Sequence, residues 1–265
     1  MATQDDDDED IDPVRMILPD EQEEGKSLTM LGDGVAKQQV QQHYIRSIES
    51  TLVIRQLPSE GLSFQLWPAA TTLVNLLDNH RCHTTKSPLA TTLTALSNCE
   101  NDRKLKILEL GSGTGLVGIA AAVTLGANVT VTDLPHVIPN LQFNVDANAD
   151  VVAQKGGNVD VAPLRWGEDE DAVVIGREFD LVLASDVVYH DHLFEPLIQT
   201  LRFLLNGGEG DEKKVLVMAH LRRWKKDSVF FKKAKKLFDV ETLHVDPPKE
   251  GSRIGVVVYR FSGKS

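Results

Sequence analysis

Hydrophobic and polar positions along the chain follow two patterns that alternate. Nearly continuous apolar runs occupy residues 105–110, 128–133, 159–164, 179–185 and 215–220, and two further runs at 240–245 and 253–261 close the chain. Between the first five runs the apolar residues have helical spacing,. Apolar strands that alternate with helices are typical of a parallel sheet covered on both faces. The pattern predicts a doubly wound, seven-stranded, mostly parallel α/β sheet.

Apolar residues at intervals of three and four predict the helices. The clearest helical face is that of Leu197, Leu201 and Leu204, which ends before Gly207 and Gly208,. Helices are predicted at 68–77, 115–125, 134–148, 196–205 and 223–238. The polar stretch 80–103 is predicted to be a long loop with one short helix over 89–96,.

Two partly alternating runs precede this pattern. HYIRSI at 43–48 and STLVIRQ at 50–56 predict a small β-hairpin that turns at Glu49,. We therefore divide the chain into an acidic tail at 1–27, a hairpin extension at 28–60 and the α/β domain at 61–265.

The net charge of −11 is concentrated at the N-terminus. Residues Met1 to Glu24 contain eleven acids and one base, so the rest of the chain has a net charge of only −1. A block of like charges with little apolar surface is expected to be disordered. It is either a docking tail for a basic partner or a solvated leader, and the solvated leader is the commoner case.

The remaining composition indicates a cytoplasmic or nuclear protein. The start, MATQDDDDED, lacks the basic and apolar segments of a secretory signal, and no apolar run has the length of a membrane span,. The two cysteines, Cys82 and Cys99, are expected to be free thiols,.

A glycine-rich segment, KILELGSGTGLVGIA, connects a predicted strand to a helix. It places Gly111, Gly113 and Gly115 at the turn, and Asp133 ends the next strand. Glycines allow the backbone to turn tightly and to lie against a ligand, and the acid can accept both hydroxyls of a ribose. This segment predicts a nucleotide-type ligand at the carboxyl ends of the strands.

Two cofactor classes use this architecture. The dinucleotide fingerprint has its third glycine where Leu116 stands, whereas the order here is Gly-x-Gly-x-Gly after Glu109,. S-adenosylmethionine carries a sulfonium cation and no pyrophosphate, so a carboxylate beside the loop suits it and would repel a pyrophosphate. The segment therefore favours S-adenosylmethionine over a dinucleotide as the ligand. It also favours a ligand site over a strand–helix turn that binds nothing.

Several segments together resemble a known family. ELGSGTGLVG and TDLP resemble the first motif and the acidic loop of the seven-β-strand methyltransferases. QLWPAA, LRWG and LASDVVYHDHLFEPLIQTL resemble further signatures of the methyltransferase-like 21 group of protein lysine methyltransferases, and the resemblance runs from about Gly61 to the C-terminus. Pro68 stands where the family commonly has an acid, and neither the acidic tail nor the stretch 80–103 has a counterpart in its core pattern.

The resemblance implies which residues contact the cofactor. They are Trp67, Gly111, Ser112, Gly113, Asp133, Trp166 and Ser185. For Trp67 and Trp166 the residue type supports the same role, because a flat indole can stack on adenine or face a sulfonium. Core packing is the alternative for each.

An Asp-x-x-Tyr sequence, Asp186 to Tyr189, follows the predicted strand at 179–185, where the family places its substrate-side residues. Our hypothesis is that Asp186 orients the acceptor lysine and that Tyr189 lines its channel; for Asp186, a helix cap is the alternative. Enzymes that methylate nucleic-acid bases carry a Pro-Pro-aromatic sequence here, and Val187 and Val188 stand in that place,.

Two other clusters could suggest different partners. The basic residues between Arg222 and Lys236, Arg223 included, are typical of a nucleic-acid patch. Apolar residues fall on one face of the predicted helix, however, and leave the lysines on its solvated face,. His80, Cys82, His83 and Cys99 have the wrong gaps for a structural zinc site, so no metal is expected,.

The sequence thus predicts an S-adenosylmethionine-dependent methyltransferase whose substrate is a protein lysine. A small-molecule methyltransferase, which would have a closed lid over Tyr189, and a non-catalytic scaffold are the alternatives. The identity of the substrate, the degree of methylation and the oligomeric state leave no signature in the sequence.

Overall fold

The apolar runs form the strands of a seven-stranded sheet in the computed structural model, which describes residues 38–97, 103–205, 214–247 and 255–264. The strands are β1 (Gln39–Ile45), β2 (Ser50–Gln56), β3 (Lys106–Leu110), β4 (Asn128–Asp133), β5 (Asn158–Pro163), β6 (Leu181–Ser185), β7 (Val215–Leu221), β8 (Phe238–Val245) and β9 (Val256–Gly263). The large sheet has the order β5-β4-β3-β6-β7-β9-β8. Strands β3 to β7 run parallel, and β9 is antiparallel to both β7 and β8.

Helices cover both faces of this sheet. They are α1 (Pro68–Cys82), α2 (Ala90–Ser97), α3 (Leu116–Leu125), α4 (Ile138–Ala147), α5 (Ala149–Gln154), α6 (Asp169–Ile175), α7 (Phe194–Leu205) and α8 (Asp227–Leu237). One buried cluster joins α1, α3, α4 and the hairpin to the sheet, and a second joins α7 and α8 to its other face. The predicted fold class is confirmed. The tail at 1–27 lies outside the described residues, and the domain boundaries stay predictions.

Several observed helices differ from the predicted ones. Helix α1 continues past Leu77 to Cys82, so the first part of the predicted loop at 80–103 is helical. Helix α8 begins at Asp227 instead of Arg223, because the preceding segment turns there and Trp224 N donates to Asp227 Oδ2 at 3.4 Å. The short helices α5 and α6 were absent from the prediction.

The N-terminal hairpin is confirmed, but its first strand was predicted too late. Strand β1 ends at Ile45, and Arg46–Ile48 form a 3₁₀ turn that reaches Glu49 at a φ of 51°. The turn occurs here because the carboxylate of Asp78, on α1, accepts the backbone N–H groups of Arg46 and Ser47 at 3.2 and 2.7 Å.

Two asparagines, Asn144 in α4 and Asn148 directly after it, dock the hairpin beside the sheet. Asn148 bonds both the N–H and the C=O of Val53, at 2.9 and 2.8 Å, and Asn144 does the same for Arg55, at 2.8 and 3.0 Å. The Asn144 amide also donates to the carbonyl of Thr114 at 2.9 Å. These two side chains thereby satisfy the free edge of β2 as a neighbouring strand would, and Asn144 ties the hairpin to the glycine-rich loop.

No helix within the described ranges is both long and apolar enough to cross a membrane.

Candidate functional site

The parallel strands β3 to β7 place their carboxyl ends at one edge of the sheet. Strand β3 pairs with β4 on one side and with β6 on the other, so the direction of winding reverses between β3 and β6. A ligand crevice in an open α/β sheet lies at such a switch point. The loops that follow Leu110 and Ser185 flank it.

The glycine-rich loop follows β3 at this point. Gly111, Gly113 and Gly115 all have left-handed backbone, with φ of 60°, 55° and 83°, which L side chains rarely adopt,. A Cβ on Gly111 would lie 2.9 Å from the Trp166 ring and 3.0 Å from Val187 Cγ1. The loop therefore packs directly against the segments that follow β5 and β6, which requires glycine at position 111.

Asp133 ends β4 beside this loop. Its Oδ2 accepts the N–H of Gly113 at 2.7 Å, and its Oδ1 accepts the N–H of Leu134 at 2.8 Å. Burial raises the pKa of this carboxyl, although the two backbone hydrogen bonds oppose the shift,. Each oxygen keeps a further lone pair, so the carboxylate can still accept a hydroxyl.

Ser112 fastens the loop to β4. Its N–H donates to Thr132 O at 2.8 Å, and its hydroxyl accepts the N–H of Thr132 at 3.0 Å. The side chain is buried, so its interactions with the strand fix the loop backbone next to Asp133.

Glu109 is fully buried next to the loop. Its Oε2 accepts the N–H of Gly118, on α3, at 2.8 Å, and burial raises its pKa to about 8. At neutral pH the neutral acid therefore predominates. A negative charge beside the cofactor was predicted for this residue from the sequence, whereas this pKa gives a largely uncharged carboxyl near pH 7.

Both predicted tryptophans lie at this edge, each half-buried and held by a neighbour. Trp67 precedes α1 and donates from Nε1 to Leu62 O at 3.0 Å. Trp166 follows β5 and packs on Gly111, while the N–H of Gly167 donates to Thr200 Oγ1 at 2.9 Å. Each indole is therefore fixed by contacts of its own.

Asp186 begins the segment after β6 in an unusual conformation. Its φ is 59°, and its side chain is 2% exposed. The carboxylate accepts the N–H of Leu221 at 3.1 Å and a hydrogen bond from the guanidinium of Arg223, and its own N–H donates to Ala219 O at 2.9 Å. The sequence suggested that Asp186 faces the acceptor or caps a helix; in the structure it binds the end of β7.

Tyr189 and Ser185 complete the predicted residues. Burial, and next the negative charge of Asp133, raise the pKa of the Tyr189 phenol, so the tyrosine shares the electrostatic environment of that carboxylate. Its ring lies 4.7 Å from that of His190. Ser185 ends β6 opposite Ala219 of β7.

Arg223 was not among the predicted site residues. It was counted only as part of a basic stretch, whereas its side chain is 2% exposed and its Cζ lies 4.7 Å from the centroid of Trp67. Two features of the sequence could have pointed to it: the residue follows a predicted strand at the carboxyl edge, and it lies outside the apolar spacing of α8.

The edge therefore combines the chemistry that S-adenosylmethionine needs. It offers backbone that can approach a ligand closely, a carboxylate for ribose hydroxyls and two aromatic faces for adenine or a sulfonium. Within the described part of the chain no group of three or more His, Cys, Asp or Glu side chains could hold a metal ion, and Cys99 lies outside that part.

Comparisons with known proteins agree with this site. Residues 47–237 match the model of a lysine methyltransferase family. The chain is 38% identical to protein N-lysine methyltransferase METTL21A of Danio rerio over 55% of its own length, and 38% identical to METTL21A of Mus musculus over 56%. These matches span 62% and 64% of the two relatives, which is less than two thirds of each. Protein-lysine methyltransferase METTL21E of Mus musculus is 31% identical over 80% of this chain and 84% of its own length.

Proposed function

We propose that this chain, which belongs to the lysine methyltransferase family, transfers a methyl group from S-adenosylmethionine to a lysine side chain of a protein substrate. The observation that carries the proposal is the meeting of Gly111, Trp166 and Val187 at the switch point of the sheet. This contact joins the glycine-rich loop to the Asp-x-x-Tyr segment, so the cofactor residues and the acceptor residues share one crevice.

The residues around the loop would hold the cofactor. Asp133 would accept the ribose hydroxyls, and the backbone of Gly111 and Gly113 would lie along the ligand. Trp67 and Trp166 would flank its apolar and cationic parts. When bound, S-adenosylmethionine supplies a methyl carbon on a sulfonium, which a neutral amine attacks in line while the carbon–sulfur electron pair stays on sulfur.

The acceptor must reach the site as a neutral amine. A lysine with a pKa of about 10.4 requires about 4 kcal/mol to be neutral near pH 7.4. Water can take that proton before transfer, so the chain needs no strong base. Its task is to hold the nitrogen in line with the methyl carbon, and we assign this task to Tyr189, the half-buried tyrosine of the acceptor segment,.

Asp186 has a narrower role in this proposal than a direct contact with the lysine. Its carboxylate already accepts hydrogen bonds from the ends of two elements. We assign it to orienting the acceptor through the backbone that leads from it to Tyr189. Substitution Asp186→Ala should lower turnover while cofactor binding persists, and unchanged turnover would remove this role.

The experiment is transfer of labelled methyl from S-adenosylmethionine to a cell extract. The labelled material is divided between protease and nuclease digestion. The Asp133→Ala variant is the negative control, and Asp160→Ala is the matched control because Asp160 lies exposed on the adjacent strand β5. We expect a discrete protease-sensitive band with the native chain and with Asp160→Ala, but none with Asp133→Ala.

Other outcomes would each change the function. Label in the small-molecule fraction would replace the protein substrate by a metabolite. Label that nuclease removes would identify a nucleic-acid acceptor. Absence of label together with absence of S-adenosylmethionine binding would leave a scaffold with this fold.

A further inference from the structure

Arg223 carries a buried positive charge at the carboxyl edge of the sheet. It lies in the loop between β7 and α8, and its side chain and that of Asp186 are each 2% exposed. A buried guanidinium is stable only when a partner compensates for its lost hydration. The compensation comes from the carboxylate of Asp186, to which its Nη2 donates.

This ion pair determines the path of the chain after β6. Asp186 has a φ of 59°, a conformation that costs a non-glycine residue free energy and persists only where the surroundings impose it,. Leu221 N and Arg223 Nη2 each donate to one carboxylate oxygen. The segment leaving Asp186 then brings Val187 against the glycine-rich loop at Gly111.

The same guanidinium also contacts Trp67. Its Cζ lies 4.7 Å from the centroid of Trp67, at cation–π distance,. The indole is held in addition by the hydrogen bond from Nε1 to Leu62 O. One side chain thus touches a residue of the proposed cofactor side and a residue of the proposed acceptor side.

We propose that Arg223 is a positioning residue for methyl transfer, which aligns the Trp67 indole with the acceptor segment by holding Asp186. This inference rests on the proposed function. Arg223 would act through its contacts with Asp186 and Trp67 and not by touching the substrate. No other described side chain combines an ion pair to Asp186 with a ring contact to Trp67.

Loss of the guanidinium would change the charge of Asp186. Burial raises the pKa of this carboxyl, and the groups that oppose the shift are Arg223 first, then His220, whose Nδ1 lies 3.9 Å away. His220 also faces a second carboxylate, because its Nε2 lies 3.4 Å from Asp227 Oδ2. Without Arg223, Asp186 would take up a proton at higher pH, and a protonated carboxyl would accept fewer hydrogen bonds from the end of β7.

The test compares Arg223→Ala and Arg223→Lys with Arg222→Ala, an exposed arginine one residue away. Each rate is divided by the concentration of folded enzyme. The substrate is the protein that the native chain labels in the cell extract. We expect Arg223→Ala to lower kcat about a hundredfold, as small misplacements in an active site do. Arg223→Lys should recover part of the rate because it keeps the charge, and Arg222→Ala should match the native chain.

Two further measurements distinguish positioning from a loss of stability. Low millimolar guanidinium chloride, far below denaturing concentrations, should restore part of the Arg223→Ala rate by filling the vacated site. The ratio of the native kcat to the Arg223→Ala kcat should also grow toward acid pH, because both rates share the deprotonation of the acceptor lysine and only the variant protonates Asp186. Neither effect follows from partial unfolding.

A measurement on the ligand-free chain tests the contact of Arg223 with Trp67 independently of the proposed function. The fluorescence of Trp67 is taken as the difference between each protein and its Trp67→Phe counterpart. It should change in Arg223→Ala and return with guanidinium, even if no substrate is ever labelled. An unchanged Trp67 signal, or a native rate per folded molecule in Arg223→Ala, would overturn the assignment.

Discussion

Glu109 Oε2 accepts a hydrogen bond from the backbone N–H of Gly118 at 2.8 Å, next to the glycine-rich loop. A Cβ on Gly118 would lie 2.7 Å from this oxygen and 2.3 Å from Val131 Cγ1. Position 118 therefore has no room for a side chain next to Glu109, and Glu109 in turn accepts the hydrogen bond from the Gly118 backbone where α3 packs on the sheet. The first residue of the loop motif thus supports the helix that follows the loop.

The first prediction concerns the pH dependence of stability. Folding raises the pKa of Glu109 from 4.5 to about 8, so the folded state binds this proton more tightly than the unfolded state does. The contribution to the free energy of unfolding is therefore full below the unfolded pKa and is lost as the pH rises to about 8,. The free energy of unfolding, measured with urea, should therefore fall as the pH rises toward about 8, by at most about 1.4 kcal/mol per pH unit because of Glu109,. Glu109→Gln should remove this pH-dependent loss. Glu178→Gln is the control because its side chain is 90% exposed; an unchanged pH profile in Glu109→Gln would mean that Glu109 is ionised in the folded protein.

The second prediction separates the effect of backbone strain at Gly111 from the effect of its close contact with Trp166. Gly111 and Gly176 both have positive φ, 60° and 79°, but only at Gly111 would a Cβ meet other atoms, at 2.9 Å from Trp166. Alanine should therefore cost about 1–3 kcal/mol of backbone strain at each position. At Gly111 it should in addition displace Trp166 and weaken S-adenosylmethionine binding by about tenfold or more.

Isothermal titration of the two glycine variants with S-adenosylmethionine checks this. Equal dissociation constants for Gly111→Ala and Gly176→Ala would show that Trp166 does not contribute to cofactor binding.

Sequence patterns were sufficient for the centre of this fold. Strand β4 was predicted with its observed bounds, because NVTVTD is apolar, β-branched and ends in an acid at the carboxyl edge. The placement of Gly111, Asp133 and Asp186 at one edge followed from the rule that parallel strands end together. Helix α6 was not predicted, since it has only seven residues and leaves Val173 and Val174 exposed, at 66% and 85%.

The missed parts of the site depend on tertiary contacts. Arg222 and Arg223 are the same residue type in adjacent positions, and only the second meets a carboxylate, 37 residues away in the chain. The protonation of Glu109 depends on complete burial, which a motif does not reveal. Local sequence therefore identified which residues lie at the edge, but not which charges are buried there.

The third prediction tests the link between the hairpin and the loop. Asn144→Ala would leave three buried backbone groups without their partner, the N–H and C=O of Arg55 and the C=O of Thr114. We expect a loss of about 1–3 kcal/mol in the free energy of unfolding and faster hydrogen exchange at the Arg55 amide. Gln142→Ala, on the exposed face of the same helix, should change neither quantity. Unchanged exchange at Arg55 in Asn144→Ala would mean that the hydrogen bonds of Asn144 are not needed to hold the hairpin.

The fourth prediction concerns the state in which Tyr189 acts. Burial and the neighbouring charge of Asp133 raise the pKa of its phenol, so the neutral hydroxyl persists through the ordinary range of pH. Tyr189→Phe should lower kcat about tenfold, the value of one hydrogen bond to a developing cation, and by the same factor near pH 7 and near pH 9. Tyr44→Phe, on the exposed side of β1, is the matched control and should leave the rate unchanged. Both rates rise with pH because the acceptor lysine must lose its proton. If the phenolate were the active form, the native rate would rise more steeply, and the ratio of the native rate to the Tyr189→Phe rate would grow about tenfold per pH unit below the phenol pKa. A ratio that is constant with pH therefore identifies Tyr189 as a neutral hydrogen-bonding group that positions the amine, and not as the base that removes its proton.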